Sequence, residues 1–361
     1  MSKSGTNLIK EDDEFDILDF CRRHLRARAW TNARSQSYTA KELKELIKLV
    51  IEQLKKDETL VNLSPPCIIV GDIHGQYRDL IRILNFKNTK TLEETKKDGK
   101  NKRKKKEEIA KSIGMSTCRY MFLGDFVDRG PNSVECICLV FSLKCIFPDQ
   151  YKLLRGNHET KETNFVYGFR EELVDKIGQK DGIEVWNRFN EAFAWMPLAG
   201  LVGTKILCMH GGISPHLKSL DDIRNIKRPL SKPLDNTLAF DLMWSDPLID
   251  FSIGKMKENT CESSLFIPNA HRSCSVSFSE KAVQECCKKL NINLIVRAHQ
   301  VFDVGFRFFA DKKLITIFSA PRYQGNNMAS VLRVAENGGI AITVFAARKN
   351  DKEEANKDDK D

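Results

Sequence analysis

What the chain lacks narrows its class before any motif is read. No apolar run among its 361 residues approaches the roughly 20 needed to cross a bilayer as a helix, so no membrane role is expected. The start, Met1-Ser-Lys-Ser-Gly5 followed by the acidic Glu11-Asp-Asp-Glu14, lacks the basic-then-apolar build of a secretory signal. The 11 cysteines contain no Cys-x-x-Cys pair, are odd in number, and several (Cys67, Cys138, Cys208) lie inside apolar runs. That usage argues against a zinc cluster or a disulfide framework and for reduced thiols, hence for the cytoplasm or nucleus. Histidine is scarce as well, with 7 in the whole chain.

Surplus charge is confined to one place. The formal net charge is +9, but between Phe86 and Cys118 eleven basic residues face five acidic ones, so six of the nine surplus charges sit in that segment. The remainder is near neutral for its size, which excludes nucleic-acid binding by bulk charge. Around Asn101-Lys-Arg-Lys-Lys-Lys106 the segment reads as a solvated loop, with nuclear import or contact with an acidic partner as functional alternatives. With 41% hydrophobic and 30% charged residues the chain has an ordinary globular composition, and length for one large domain or two small ones.

What is present is one device used six times. Tyr120-Met-Phe-Leu123 is a short apolar run that reads as a buried strand, broken by Gly124 where Asp125, Asp128 and Arg129 emerge. Cys67-Ile-Ile-Val70 runs into Gly71-Asp72-Ile73-His74-Gly75, and Tyr151-Lys-Leu-Leu154 into Arg155-Gly156-Asn157-His158-Glu159. Lys205-Ile-Leu-Cys-Met209 ends in His210-Gly211-Gly212, and Leu294-Ile-Val296 in Arg297-Ala298-His299-Gln300. Leu314-Ile-Thr-Ile-Phe318 ends in Ser319-Ala320-Pro321-Arg322-Tyr323. Four of the seven histidines lie at these ends. Ligands of helix-flanked sheets gather outside the carboxyl ends of strands, so the six ends are expected to converge on one site.

Between these runs the spacing predicts helices. Thr39-Ala-Lys-Glu42 has capping-box spacing and is followed by Leu43, Leu46, Ile47, Val50, Ile51 and Leu54 at helical intervals. Further helices are expected over Gln76–Leu84, over the strongly apolar Ser133–Phe147, twice between Phe165 and Met196, and over Ser279–Leu290. Leu248–Ala270 lacks periodicity and reads as a long loop. Residues 1–38 read as an N-terminal extension, helical in part, and 347–361 as a disordered charged tail.

Carboxylate, imidazole and amide oxygen together form a hard-to-borderline ligand set, suited to Mn, Fe or Zn in an oxygen- and nitrogen-lined site. Two cations held close together need a shared anionic ligand. Such a pair, about 3.5–4 Å apart, acidifies a bound water and clamps an in-line displacement at phosphorus. A phosphate also favours guanidinium forks, which Arg129 is placed to give.

The ordered series Gly71-Asp-Ile-His-Gly75, Gly124-Asp-Phe-Val-Asp-Arg-Gly130, Arg155-Gly-Asn-His-Glu159, His210-Gly-Gly212, Trp244-Ser-Asp-Pro247, Arg297-Ala-His-Gln300 and Ser319-Ala-Pro-Arg-Tyr323 resembles the PPP family of metal-dependent protein serine/threonine phosphatases. Its type-1 catalytic subunits look nearest, and the likeness runs from about Thr39 to Val344. The resemblance implies an α/β metallophosphoesterase (calcineurin-like) fold, a central β-sandwich flanked by helices. It would form a single catalytic domain over 39–346 with a Lys-rich insertion at 87–117. It implies hydrolysis of phosphoserine and phosphothreonine in proteins by a hydroxide between two metal ions, without a phosphoenzyme. Asp72, His74 and Asp125 would hold one metal; Asp125, as the bridge, would join Asn157, His210 and His299 on the other. Arg129 and Arg272 would grip the phosphate, with Asn157, Tyr323 and Asp246 also lining the substrate cleft. Arg272 is matched through Arg272-Ser-Cys-Ser-Val-Ser-Phe278, where Ser273 stands in place of the usual glycine. His158 would protonate the departing alkoxide, with Asp128 orienting it. Phosphoprotein substrates and regulatory or targeting subunits are the implied partners.

Rival readings are hydrolysis of small phosphoesters or pyrophosphates and a non-catalytic scaffold of the same fold, although a scaffold needs no general acid. The chain departs from the family in the 86–118 insertion, in a longer Pro247–Arg272 loop without the usual clustered acids, and in a shortened loop after Tyr323, Gln324-Gly-Asn-Asn-Met-Ala329. The final strand, Ile340-Ala-Ile-Thr-Val344, also differs where type-1 enzymes dock short hydrophobic peptides.

Overall fold

The apolar runs pair into two sheets. Numbered along the chain, the strands are β1 (Leu60–Leu63), β2 (Cys67–Val70), β3 (Tyr120–Phe122), β4 (Tyr151–Leu153), β5 (Ala199–Val202), β6 (Ile206–Met209), β7 (Asp246–Pro247) and β8 (Phe266–Pro268). β9 (Val276–Phe278), β10 (Leu294–Arg297), β11 (Phe306–Phe309), β12 (Leu314–Ile317), β13 (Ala329–Val334) and β14 (Ile340–Phe345) follow. The computed structural model describes residues 15–26, 36–85, 108, 118–249 and 264–347. The first 14 residues, the Lys-rich 87–117 segment apart from Glu108, the centre of the expected 248–270 loop and the tail from 348 lie outside the described residues.

One sheet has the order β1-β5-β6-β10-β12-β11, the other β14-β13-β2-β3-β4, and a small third one β7-β9-β8. Within the second sheet β2, β3 and β4 are parallel, with Val70 level with Phe122 and Phe122 with Leu153. Within the first, β6, β10 and β12 are parallel. Each sheet therefore ends one trio of strands at a common edge.

Side chains alternate across these strands as the pleat requires. Ile68, Val70, Tyr120 and Phe122 pack on a helical layer that includes Leu43, Leu46 and Ile137. Cys67, Ile69 and Met121 meet Cys208, Val296, Ile315 and Ile317 between the sheets. Leu207, Met209, Ile295 and Leu314 pack against Leu242 and Val283, which lie on the helices Leu238–Trp244 and Glu280–Leu290. The layers run helix, sheet, sheet, helix, the α/β sandwich expected of a metallophosphoesterase. Strands buried on both faces show no polar alternation, which is why they read as unbroken apolar runs.

The helix Ala40–Leu54 starts with the expected capping box: Glu42 N donates to Thr39 Oγ1 at 3.1 Å, and Thr39 N donates to Glu42 Oε2 at 3.0 Å. The helix Ser133–Ile146 is buried on nearly every side, its charges included. Glu135 pairs with Lys176 at 2.7 Å and Lys144 with Asp57 at 2.6 Å, as buried charges must. Between Phe165 and Met196 lie the two expected helices, Phe169–Ile177 and Gln179–Ala194, preceded by a short one over Lys161–Val166.

Two regions differ from expectation. The loop over 248–270 contains β8, which pairs antiparallel with β9; three residues are too few to show a period in the sequence. Within the expected extension the helical part is present as residues 17–25, capped by Asp16, but its Phe20 and Cys21 enter the same core as the helix Ala40–Leu54. The boundary expected at residue 39 thus crosses a continuous packing unit. His24 at the end of that helix is fully buried, its Nδ1 2.8 Å from Phe20 O and its Nε2 2.8 Å from Tyr38 Oη.

Burial, the largest influence on His24, holds its imidazole down at about 4 against an ordinary 6.5. The unfolded chain therefore takes up a proton across that window that the folded chain refuses. Stability from this group is intact above the ordinary value and falls as pH drops through the window. The expected loss between about pH 7.5 and 5 is about 2 kcal/mol. His24→Gln, which has no titrating ring, should lose melting temperature less steeply than the wild type over that range; parallel curves would show that His24 titrates normally.

Candidate metal centre and active site

The strand ends meet. A Cβ on Gly124, whose φ is +112°, would stand 2.3 Å from Gly156 N, so the loops after β3 and β4 touch backbone to backbone. The carbonyl of Asp125 accepts from Ile73 N and His74 N, both at 2.9 Å, which joins the β2 loop to the β3 loop. His158 N donates to Asp125 Oδ1 at 2.9 Å, and His299 N to Asp72 Oδ1 at 3.0 Å. The second of these bonds crosses from one sheet to the other.

Around Asp125 the side chains form two clusters. His74, Asp125 and His158 have ligand atoms within 4.8 Å of one another, as do Asp125, His210 and His299, and all five residues are buried. Asp125 Oδ2 lies 3.5 Å from His74 Nε2 and 3.2 Å from His210 Nε2. Asp72 Oδ2 is 3.6 Å from His74 Nε2. Asn157 Oδ1 and His299 Nδ1 are 2.9 and 3.1 Å from His210 Nε2. The six residues expected to bind metal are therefore brought together.

Their hydrogen bonds test whether cations fit. His74 Nδ1 lies 3.0 Å from Val127 O and His210 Nδ1 3.2 Å from Leu123 O, so each ring spends its proton on a carbonyl. The bare Nε2 lone pairs then face carboxylate and amide oxygens, an arrangement of acceptors that needs positive charge at its centre. The cluster's pull on protons shows the same demand. Burial lowers His74, but Asp72 and Asp125 outweigh it and lift the imidazole to about 9. Burial likewise opposes ionised Asp125, yet His210, His158 and His74 hold its carboxyl well below the usual range. His299 is held well below its ordinary value by burial and by Arg272, and its buried Nε2 has no hydrogen-bond partner. Nitrogen and oxygen donors in this ratio fit divalent ions of the first transition row.

Beside the cluster, His158 Nδ1 lies 2.7 Å from Asp128 Oδ2, which leaves Nε2 free to exchange a proton. Arg129 is exposed, and its guanidinium stacks 3.9 Å over the ring of Tyr167, itself 5.3 Å from the His158 ring. Tyr323 stacks on His74 at 4.7 Å and forms a wall of the site. Arg272 Nε binds Asp246 Oδ2 at 2.9 Å, and its Nη2 binds His299 O at 3.0 Å. Ser273, standing where a glycine is usual, adopts a φ of +57°, so the turn survives with a side chain in it.

Asp246 corrects an expectation. It is buried beneath Arg272 and does not line the cleft; its other oxygen pairs with the fully buried Arg297 at 2.9 Å, and Asn269 Nδ2 adds a bond at 3.0 Å. Burial disfavours its charge, but Arg297 and Arg272 outweigh it and hold the carboxyl below its ordinary value. It acts by positioning Arg272.

Sequence reasoning also missed Glu159. Its carboxylate accepts from Asp125 N and Phe126 N at 2.8 Å each and from Gly156 N at 3.0 Å, fixing the turn that presents Asp125. Its signal was its place directly after His158, as a charge with no solvent-facing reason to sit there.

The calcineurin-like phosphoesterase family model matches residues 65–303. The Caenorhabditis elegans serine/threonine-protein phosphatase PP1-delta is 40% identical over 281 residues, which cover 77% of this chain and 78% of that protein. A second C. elegans serine/threonine-protein phosphatase, C23G10.1, is 39% identical over 290 residues, 80% of this chain and 55% of its own length. Among solved structures, a protein serine/threonine phosphatase from Saccharomyces cerevisiae with similarity to human phosphatase PP5 superposes with a TM-score of 0.69. It is 26% identical, and the match covers 89% of this chain and 95% of that one.

Asp125 touches both clusters, so Asp125→Ala should strip bound metal from the purified protein. Elemental analysis is the check, and a stoichiometry equal to the wild type would remove Asp125 from the ligand set.

Proposed function

The chain belongs to the calcineurin-like phosphoesterases, in their metal-dependent serine/threonine protein phosphatase branch, and on that premise we propose that its six clustered ligands hold two divalent ions. Its activity is hydrolysis of phosphoserine and phosphothreonine in proteins. Asp72, His74 and Asp125 would hold one ion, and Asp125, Asn157, His210 and His299 the other. The observation that carries this is Asp125 Oδ2, within 3.5 Å of His74 Nε2 and 3.2 Å of His210 Nε2, one oxygen belonging to both clusters. When bound, such a pair supplies concentrated positive charge to the phosphate and a water acidified toward neutrality. Mn, Fe and Zn all suit the donors.

The chain's own groups do the rest. Arg272, anchored by Asp246 and His299 O, presents a guanidinium to the phosphate, and Arg129, steadied on Tyr167, offers a second. Tyr323 closes one side over His74. Asn157, through its amide, is shared between the ligand set and the phosphate. The Ser319 hydroxyl, which follows β12, accepts from Gly71 N at 2.8 Å and donates to Ser330 O at 2.7 Å, so it is spent on structure, and the proposal gives the attack to a water. His158 Nε2 gives its proton to the departing serine or threonine oxygen, while Asp128 holds Nδ1 and fixes the ring's direction.

Targeting subunits and an acidic partner for the 87–117 segment belong to the same proposal. Support for the former is β14, an edge strand of the five-stranded sheet with Ile340 41% and Val344 39% exposed.

Purified with Mn²⁺, the chain should hydrolyse a phosphoserine peptide and lose that activity to a chelator; faster turnover of a dinucleoside polyphosphate would favour the small-molecule reading. His158→Ala should cost about 10²- to 10⁴-fold on the alkyl phosphoester and far less on an aryl phosphate, whose leaving group needs little protonation. Equal losses on the two substrates would remove His158 as the acid.

A further inference from the structure

The loop that carries Asp128 and Arg129 is held by a carboxylate that the mechanism above does not use. Asp128 and Arg129 have φ of +72° and +71°, two successive side-chain-bearing residues in the left-handed region. Each costs on the order of 1–3 kcal/mol and persists only where its surroundings enforce it. Here the enforcement is by backbone donors: Asp128 N to Ser133 Oγ at 3.1 Å, Arg129 N to Tyr167 O at 3.0 Å, and Asn132 N to Gly75 O at 3.1 Å.

Ser133 opens the helix Ser133–Ile146, whose own cap residue, Asn132, provides no side-chain bond. The orphan donors at that end are taken instead by Glu172, from the helix Phe169–Ile177. Its Oε2 accepts from Ser133 N at 2.8 Å and its Oε1 from Val134 N at 3.1 Å. The same helix donates Phe169 N to Asp128 Oδ1 at 3.0 Å, and Asp128 Oδ2 stands 2.7 Å from His158 Nδ1. A continuous chain of bonds therefore runs from Glu172 through Ser133 and Asp128 to the imidazole. A carboxylate is a costly cap in this setting. Burial and the neighbouring Glu135 push Glu172 up to about 8, with Lys176 3.9 Å away as a partial counterweight. For helix stability alone a local serine or asparagine cap would serve.

We infer that Glu172 is a positioning residue for His158: by fixing Ser133 it holds Asp128 in the strained turn from which that carboxylate aims the imidazole. This rests on the reading of His158 as the proton donor, and the test separates the two.

The experiment measures kcat and KM of Glu172→Ala, Glu172→Gln, Ser133→Ala and His158→Ala on a phosphoserine peptide and on p-nitrophenyl phosphate, with a melting curve for each. Glu172→Ala and Ser133→Ala are expected to lower peptide kcat about tenfold, a fraction of the general-acid effect, with KM little changed and the aryl rate falling much less. Glu172→Gln, which keeps one acceptor, should fall between Glu172→Ala and the wild type. A loss of equal size on both substrates, or none, in folded Glu172 and Ser133 variants overturns the inference; His158 stands as the donor if its own variant remains selective. Equal losses in His158→Ala overturn the donor reading itself. Should Glu172→Ala fail to fold, Ser133→Ala and Glu172→Gln decide by the same substrate comparison.

Discussion

Bare nitrogens and carboxylate oxygens that face one another repel unless positive charge lies between them, and this structure is built to force such groups together. Asp125 is the hinge of that compulsion. Its N–H is held by Glu159, its carbonyl by Ile73 and His74, one carboxylate oxygen by His158 N, and the other faces His74 and His210. One residue thus ties the loops of three strands in one sheet to a strand end of the other. Cations suit this site because the backbone leaves the acceptors no way to separate.

The cost of that geometry is local strain. His74, Asp125, Asp128, Arg129, His299 and Arg322 all have positive φ, and all lie in loops that follow site strands. Apolar layers on both faces of each sheet supply the stability that offsets it, and buried hydrogen bonds specify the turns. Glycine would relax several of these turns, but a glycine carries no ligand. Where the chain needs both a left-handed turn and a functional side chain at one residue, external acceptors such as Glu159 and Ser133 Oγ hold the turn.

This division explains what was legible in the sequence. Strands buried on both faces announce themselves as apolar runs, and the polar residues directly after six such runs marked one convergent site; that Asp72, His74, Asp125, Asn157, His210 and His299 would be its ligands came from the resemblance of the ordered series to a known family. β1 and β5 are as long as β2 and β6 but run into no cluster of ligand-type residues, and the three-residue β8 vanished into a presumed loop. That part of the 1–38 extension would be helical was readable, yet nothing in it said that His24 and Tyr38 would meet in the core. Glu159, Glu172 and Arg297 escaped because their work is done on backbone and on other side chains brought in from afar, which leaves no local pattern.

Asp246 shows how second-layer charge shapes the site. A guanidinium free in solvent must be ordered when it meets a phosphate, and that ordering subtracts from binding. Arg272 is ordered already: Asp246 takes its Nε, His299 O its Nη2, and Asn269 Oδ1 accepts from its backbone N at 3.2 Å. An aspartate holding one arginine would nearly cancel its charge, but Asp246 is shared with Arg297, so the trio keeps a net positive charge beside the cluster. The buried Arg297 is in turn bound to Gly211 O and to Ser245 O, which ties the trio to the loop that carries His210. Arg272 and the clustered His210 and His299 are thereby set by one connected scaffold, and a shift in either must move the other.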